Sequence, residues 1–112
     1  MRSNGRTTRW AVLAGVLGSL LAGAPARADD AGAVMAGKQV AQTWCANCHV
    51  VSGAQTQGSD QAPTWQSIAA RPGTTAASLH SFLQRPHGKM PDFKLAQTEI
   101  DNVVAYILSL KN

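Results

Sequence analysis

The hydrophobic positions of this chain are most regular near its C-terminal end. Five apolar residues follow one another there at steps of three or four: Ile100, Val103, Val104, Ile107 and Leu110. That spacing places them on one face of an α-helix, with polar side chains on the other faces. Thr98, with Asp101 three residues later, resembles an N-terminal capping pair, so we expect this helix to begin near Thr98.

Three earlier segments have shorter helical patterns. They cover residues 33 to about 44, residues 64–70 and residues 76 to about 84. Residues 29–32 are expected to be a frayed, polar start, and the stretches 50–61 and 86–95 contain the glycine, proline and polar residues that predict loops. No segment alternates apolar and polar residues as a strand does. The pattern therefore predicts an all-α domain of about four short helices.

The first 28 residues have the three-part layout of a secretory signal peptide. Three arginines within the first nine residues precede an uncharged, mostly apolar run at residues 10–24, and Ala26-Arg27-Ala28 offers an A-x-A cleavage site. The run has fifteen residues, fewer than the roughly 20 that a membrane span needs. We therefore expect cleavage after Ala28, rather than a retained anchor or a permanent membrane span, and an exported domain at residues 29–112.

Removal of this leader changes the charge balance. The full chain has ten basic and six acidic side chains, but four of the arginines lie within the first 28 residues. Residues 29–112 therefore keep six basic and six acidic side chains. The basic character belongs to the leader, and the charge gives no reason to expect nucleic acid or an anionic membrane as a partner.

Both cysteines of the chain lie in the segment Cys45-Ala46-Asn47-Cys48-His49. C-x-x-C-H is the attachment signature of c-type haem, in which each thiol adds to one vinyl group of the porphyrin. His49 is then a candidate for the proximal iron ligand. A domain of about 84 residues has a small core and marginal stability, and such domains are often stabilised by a bound metal or another cross-link. A disulfide across two intervening residues would contribute little of that stability.

Two other uses of the cysteines are less favoured. A thiol redox module also uses C-x-x-C, but usually within a βαβ context that this sequence lacks. A zinc site normally has a second pair of ligands, and the chain has no further cysteine.

A haem iron bound by one histidine needs a sixth ligand or has an open site. Outside the leader, Met35 and Met90 are the thioether candidates. We expect Met35 to fill the core, whereas Met90, followed by Pro91, lies in a loop that can cross to the opposite face of the ring. A histidine–methionine pair raises the reduction potential and closes the iron to outside ligands, which suits electron transfer.

The remaining histidines and Lys89 have weaker claims on the iron. His80 is expected to be solvated, away from the apolar face of the third helix. His87, three residues before Met90, is expected on a surface loop, with replacement of Met90 or a bond to a haem propionate as the alternatives. Lys89 could displace Met90 at high pH, once its amine is neutral.

In these features the chain resembles the small bacterial class I cytochromes c. The matching features follow the family's order and cover essentially all of residues 29–112: Gly37 eight residues before Cys45, the segments W-C-A-N-C-H and A-P-T-W, the M-P dipeptide and the terminal E-I-D-N-V-V-A-Y-I-L-S-L. The resemblance implies a cytochrome c fold around one covalently attached haem c. Ala96 departs from it, because the family often has serine or threonine there.

The resemblance implies a role for each matching site residue. Cys45 and Cys48 would form the thioether bonds, His49 would be the proximal iron ligand and Met90 the distal one.

Supporting residues follow from the same resemblance. The carbonyl of Pro63 would accept a hydrogen bond from the other ring nitrogen of His49, which orients the ligand. Trp65 would pack against the haem edge. Gly37 would mark the crossing of the first and last helices, close to Tyr106.

These features predict a periplasmic carrier of single electrons rather than an enzyme, with redox proteins as partners and no small-molecule substrate. Arg85, Lys89 and Lys94 lie in or beside the loop that contains Met90 and would dock on an acidic patch of a partner, although ordinary solvated side chains explain the charge count equally well. The alternatives are a haem subunit of a periplasmic dehydrogenase or oxidase complex, and a gas-binding haem protein with Met90 off the iron.

Overall fold

The structure, a computed structural model, describes residues 26–59, 61–85 and 87–111. Within these ranges the α-helices are α1 (Ala26–Val40), α2 (Trp65–Ala70), α3 (Ala76–Leu83) and α4 (Gln97–Ser109). A π-helical turn at Ala41–Cys45 continues α1 into the cysteine motif. The described ranges contain no strand, and their β-type pairing is an isolated bridge between His87 and Met90. The predicted all-α architecture of short helices is confirmed.

Helix α1 begins earlier than the sequence pattern predicted. Its start was expected near Ala33 after frayed residues 29–32, but the helix runs from Ala26. Five of its fifteen residues are alanine, the strongest helix former. Alanine at positions 26, 28 and 31 therefore supports helix formation in a stretch that was expected to fray.

The predicted leader falls on residues 1–25, outside the described residues, and on the first three residues of α1. Its cleavage after Ala28 stays a prediction. Among the residues that the structure describes, no helix has the length and apolar character needed to cross a membrane.

Helices α1 and α4 cross at Gly37. This residue is buried, and a Cβ atom added to it would overlap the backbone carbonyl of Asn102 and lie 2.9 Å from the Cβ atom of Tyr106. The nearest atoms belong to the backbone of α4, so they cannot rotate away as a flexible side chain would. The crossing expected beside Tyr106 is confirmed.

Met35 is 61% exposed, so the prediction that it fills the core is wrong. Residues two positions apart on an α-helix point in nearly opposite directions, since each residue turns the helix by about 100°. Because Gly37 is the residue that contacts α4, Met35 faces away from that helix.

The core lies between α4 and the shorter helices. The predicted apolar face of α4 is buried, apart from a half-buried Leu110: Ile100, Val103, Val104 and Ile107. It packs with buried residues from the rest of the chain, among them Val51, Trp65, Ala69 and Leu79. Full burial of each large apolar side chain stabilises the fold by about 1.5–3 kcal/mol.

Tyr106 joins this core to the segment that follows the cysteine motif. Its hydroxyl donates a hydrogen bond of 2.7 Å to the carbonyl oxygen of Val51, and both residues are buried. Its ring lies 5.8 Å from the ring of Trp65, centroid to centroid. The position of α4 is thereby tied to the position of the motif.

Helix α4 begins at Gln97 with Ala96 as its N-cap, so the prediction that Thr98 caps it is wrong. The amide of Ala96 donates to the carboxylate of Glu99 at 2.8 Å, which is one half of a capping box. Alanine has no side-chain oxygen, so the other half cannot form. In α3, by contrast, Thr75 and Ser78 form both halves.

Candidate functional site

The π-helical turn connects the end of α1 to the cysteine motif. The amide of Ala46 donates to the carbonyl of Ala41 at 3.0 Å, across the wider spacing that defines a π-turn. The amides of Cys48 and His49 both donate to the carbonyl of Cys45, at 3.1 and 2.9 Å. In the resulting tight turn Cys45 is buried, Cys48 is exposed and His49 is half-buried.

A cavity of about 910 Å³ lies between this motif and residues 87–91, which we call the distal loop. Its lining includes Cys45, Cys48 and His49 from the motif, and His87 and Met90 from the distal loop. The structure therefore brings the four candidate attachment and ligand residues to one cavity.

A second cavity of about 270 Å³ extends the site toward α2 and α3. It shares His49, Phe82 and Met90 with the first cavity, and Pro63 and Trp65 belong to its lining. The two supporting residues expected from the resemblance thus lie on the same side of the site as α2.

The cavity walls fit a flat, largely apolar group. Trp44 and Phe82 line the large cavity although they are 50% and 53% exposed, whereas aromatic side chains are usually well buried. A ring system in the cavity would cover both. Two thiols, an imidazole and a thioether around such a cavity match the donors that hold a covalently attached haem.

His49 is oriented by the backbone of Pro63. Its Nδ1 lies 2.7 Å from the carbonyl oxygen of Pro63. Since a carbonyl can only accept a hydrogen bond, Nδ1 carries the proton and Nε2 keeps its lone pair. The hydrogen bond expected between these two residues is therefore present, and it leaves His49 in the tautomer that metal-binding histidines use.

The side chain of Gln55 forms hydrogen bonds with the backbone of the motif, a role that the sequence did not reveal. Its side-chain nitrogen lies within hydrogen-bond distance of three carbonyl oxygens, those of Ala46 and His49 at 2.8 Å and that of Gln57 at 2.7 Å, among which its two hydrogens are shared. Its side-chain oxygen accepts from the amide of Val51 at 3.0 Å. One amide side chain thus holds the backbone on both sides of the second cysteine.

The distal loop is a tight reversal that turns His87 into the site. His87 and Met90 pair across the isolated bridge, and Gly88 between them has φ of +52°, a conformation that favours glycine. His87 is half-buried and lines the large cavity. His87 thus lies on a surface loop, as expected, but its ring faces the cavity rather than open solvent.

His80 also differs from its expectation. Its Nε2 lies 3.5 Å from a carboxylate oxygen of Asp101, and its side chain is 29% exposed. The histidine is therefore partly covered by α4 rather than fully solvated.

The three basic residues of the expected docking face have neighbours of their own. Lys94 pairs with Asp92 at 2.6 Å, Lys89 donates to the side chain of Gln61 at 3.4 Å, and Arg85 donates to the carbonyl of Ser81 at 3.1 Å. All three remain exposed, and the ion pair with Asp92 reduces the field of Lys94.

The buried thiol of Cys45 does not suit dithiol redox chemistry. Burial, reinforced by the neighbouring Cys48, raises the pKa of the Cys45 thiol to about 11. Reactive cysteines have lowered pKa values and exposed sulfur atoms. The pair is therefore better suited to permanent attachment than to disulfide exchange.

Comparison with known proteins decides the family. The family model described as cytochrome C oxidase, cbb3-type, subunit III matches residues 32–107. The chain belongs to this family of c-type cytochromes. This c-type cytochrome therefore carries covalently bound haem c and transfers electrons rather than catalysing a reaction. The predictions of family and cofactor are thereby confirmed.

A similar protein is also described as a cytochrome c. Cytochrome c-552 of Bradyrhizobium diazoefficiens is 44% identical over 86 residues, which cover 77% of this chain and 80% of the relative. No solved structure matches the chain significantly.

Proposed function

We propose that this c-type cytochrome carries single electrons between redox proteins of the periplasm, through a haem iron ligated by His49 and Met90. The observation that supports the proposal most is the shared cavity, which is lined by both cysteines, His49 and Met90. A thioether paired with an imidazole favours ferrous iron and closes the metal to outside ligands. Such a site exchanges electrons without binding a substrate.

The residues around the cavity have defined tasks in this proposal. Cys45 and Cys48 hold the haem through thioether bonds. The carbonyl of Pro63 keeps the proton of His49 on Nδ1, so that Nε2 can bind the metal. Trp65 is buried with its ring 6.3 Å from that of His49, and it excludes water from this side of the site.

Absorption spectra of the oxidised and reduced holoprotein test the ligands. The wild-type protein should show the spectrum of a haem with two thioether bonds and a weak far-red sulfur-to-iron band. Met90→Leu should abolish that band, while Met35→Leu, at an exposed methionine of α1, should keep it. A wild-type protein without the band, or one whose ferrous form binds carbon monoxide readily, would contradict ligation by Met90.

We further propose that Arg85, Lys89 and Lys94 guide an acidic partner to the distal side of the site. Lys89 belongs to the cavity lining, so its charge lies beside the group that exchanges electrons. Opposite charges accelerate association, and salt screens them. Lys89→Gln should slow electron transfer to an acidic redox partner at low ionic strength, whereas Lys38→Gln on α1 should not. Rates that do not depend on ionic strength would contradict the docking face.

Export is the third part of the proposal. We infer that residues 1–28 direct the chain out of the cytoplasm and are cleaved after Ala28, since their sequence has the layout of a signal peptide. Mass spectrometry of the protein from the periplasmic fraction should give a chain that begins at Asp29. A holoprotein that keeps residues 1–28 in the membrane fraction would contradict cleavage.

A permanent place in a larger complex is the alternative function. The description of the family model as an oxidase subunit favours it, whereas the Bradyrhizobium relative is named as a cytochrome in its own right. Native electrophoresis of the periplasmic fraction, stained for haem, separates the two. A free carrier should migrate at the size of a single small domain, and a subunit should migrate with a catalytic partner.

A further inference from the structure

The distal loop places a histidine, a second side chain of a type that can bind iron, beside Met90. The two residues of the bridge, His87 and Met90, face each other, and paired residues of an antiparallel bridge carry their side chains on the same side. As a result, Nε2 of His87 lies 3.0 Å from the sulfur atom of Met90. Both side chains line the large cavity.

The other ring nitrogen of His87 is already bonded. Nδ1 lies 2.6 Å from the carbonyl oxygen of Arg85, which can only accept a hydrogen bond. The neutral ring therefore carries its proton on Nδ1 and keeps the lone pair of Nε2 on the side of Met90. A histidine whose second nitrogen donates to a backbone carbonyl has the arrangement that is usual for metal ligands.

Packing holds this ring in place. The ring of Phe82 lies against it, with centroids 3.5 Å apart and planes inclined by 38°, and Phe82 itself lines the cavity. His87 therefore has the same two supports as His49: an aromatic neighbour and a backbone carbonyl that fixes Nδ1. His80 differs, because its ring nitrogen faces the carboxylate of Asp101.

We propose that His87 is a second distal donor, whose Nε2 binds the haem iron whenever the thioether of Met90 does not. The inference rests on the proposed function, in which Met90 is the resident ligand. Because the nitrogen and sulfur atoms lie 3.0 Å apart, exchange of one donor for the other requires only a small movement of the distal loop. Loss of Met90 then leaves the iron six-coordinate and closed to outside ligands.

Spectra of the oxidised holoprotein test this role. Met90→Ala should remain low-spin, with nitrogen donors on both sides of the iron and no sulfur band. Adding His87→Phe, which keeps an aromatic ring against Phe82, should convert the protein to a high-spin form. Adding His80→Phe instead should leave the Met90→Ala spectrum unchanged. A high-spin Met90→Ala protein would overturn the proposal.

Binding of free imidazole provides a second measurement. A resident histidine competes with the added ligand, so Met90→Ala should bind imidazole at least about tenfold more weakly than the double variant with His87→Phe. Equal affinities would overturn the second-donor role.

Two further proteins separate this role from the ligand assignment of Met90. Wild type and His87→Phe should both show the sulfur band. If both show it while Met90→Ala is high-spin, the second-donor role alone fails. If wild type lacks the band, ligation by Met90 fails, and the reserve role of His87 fails with it.

Discussion

Replacing each of two glycines of helix α1 by alanine should change stability in opposite directions. Gly32 and Gly37 lie in the same helix, five residues apart. A Cβ atom at Gly32 would have no atom within 4 Å, whereas one at Gly37 would overlap the carbonyl of Asn102 in α4. The pair therefore separates the effect of helix propensity from the effect of the helix crossing.

The magnitudes follow from two opposing contributions. Alanine is favoured over glycine by about 0.8–1 kcal/mol in a helix interior, and nothing opposes this gain at Gly32. At Gly37 the methyl group must push α1 away from the backbone of α4, and overpacking of this kind costs about 1–3 kcal/mol, occasionally more. Since the backbone of Asn102 cannot rotate aside, the upper end applies. The expected net loss at Gly37 is then about 2 kcal/mol or more.

Urea unfolding of the holoproteins, followed by far-ultraviolet circular dichroism, measures both changes. Gly32→Ala should raise the midpoint and Gly37→Ala should lower it, with similar slopes if the unfolded states are alike. Two variants that shift in the same direction would refute the crossing as the cause, as would a Gly37→Ala protein as stable as the wild type.

Three further predictions concern the N-cap of α4, the buried hydrogen bond of Tyr106 and the side chain of Gln55. Ala96→Ser should raise the free energy of unfolding by about 0.5–2 kcal/mol, because a hydroxyl at the N-cap completes the box that Glu99 begins; an unchanged urea midpoint would contradict this. Tyr106→Phe should lower it by about 1–3 kcal/mol at pH 7, because the buried carbonyl of Val51 loses its donor. Burial raises the pKa of Tyr106 above its ordinary value of 10.0, so the contribution of the tyrosine is complete below pH 10 and is lost as the pH rises through the folded-state pKa. The difference in unfolding free energy between the wild type and Tyr106→Phe should then narrow in alkali, and a constant difference would refute the linkage. Because the chain has one tyrosine, its absorbance titration reports the ionisation of Tyr106 directly. Gln55→Ala should lower the free energy of unfolding by about 1–3 kcal/mol and speed hydrogen exchange at the amide of Val51, which loses its acceptor, whereas Gln57→Ala, at an exposed side chain, should change neither.

Several sequence-based expectations depended only on local spacing, and these agree with the structure. The apolar residues of α4 recur at helical steps, so their burial on one face followed from the geometry of any α-helix. The crossing at Gly37, by contrast, was expected through the resemblance to a family, and Gly37 fits it because it has no Cβ atom. The hydrogen bond between His49 and Pro63 was expected only through the resemblance to a family, since the spacing of fourteen residues carries no signal of contact.

Other expectations failed where a second element decided the outcome. Methionine is a residue type common in cores, but Gly37 sets the face of α1 that meets α4, and Met35 lies on the opposite face. Threonine is a residue type favoured at N-caps, but the carboxylate of Glu99 accepts from the amide of Ala96, so the N-cap lies two residues before Thr98. Residue type alone did not distinguish these outcomes.

By itself, the sequence determined the apolar face of α4 and the haem-attachment motif with His49, because each consists of particular residue types at short, regular spacing. Only the tertiary structure decided which loop residues meet at the cavity. Gln55 acts on backbone carbonyls, which every residue possesses, so no pattern of side chains announces its role. His87 meets Met90 because a left-handed glycine reverses the chain between them, and that contact places two candidate iron donors side by side in the distal loop.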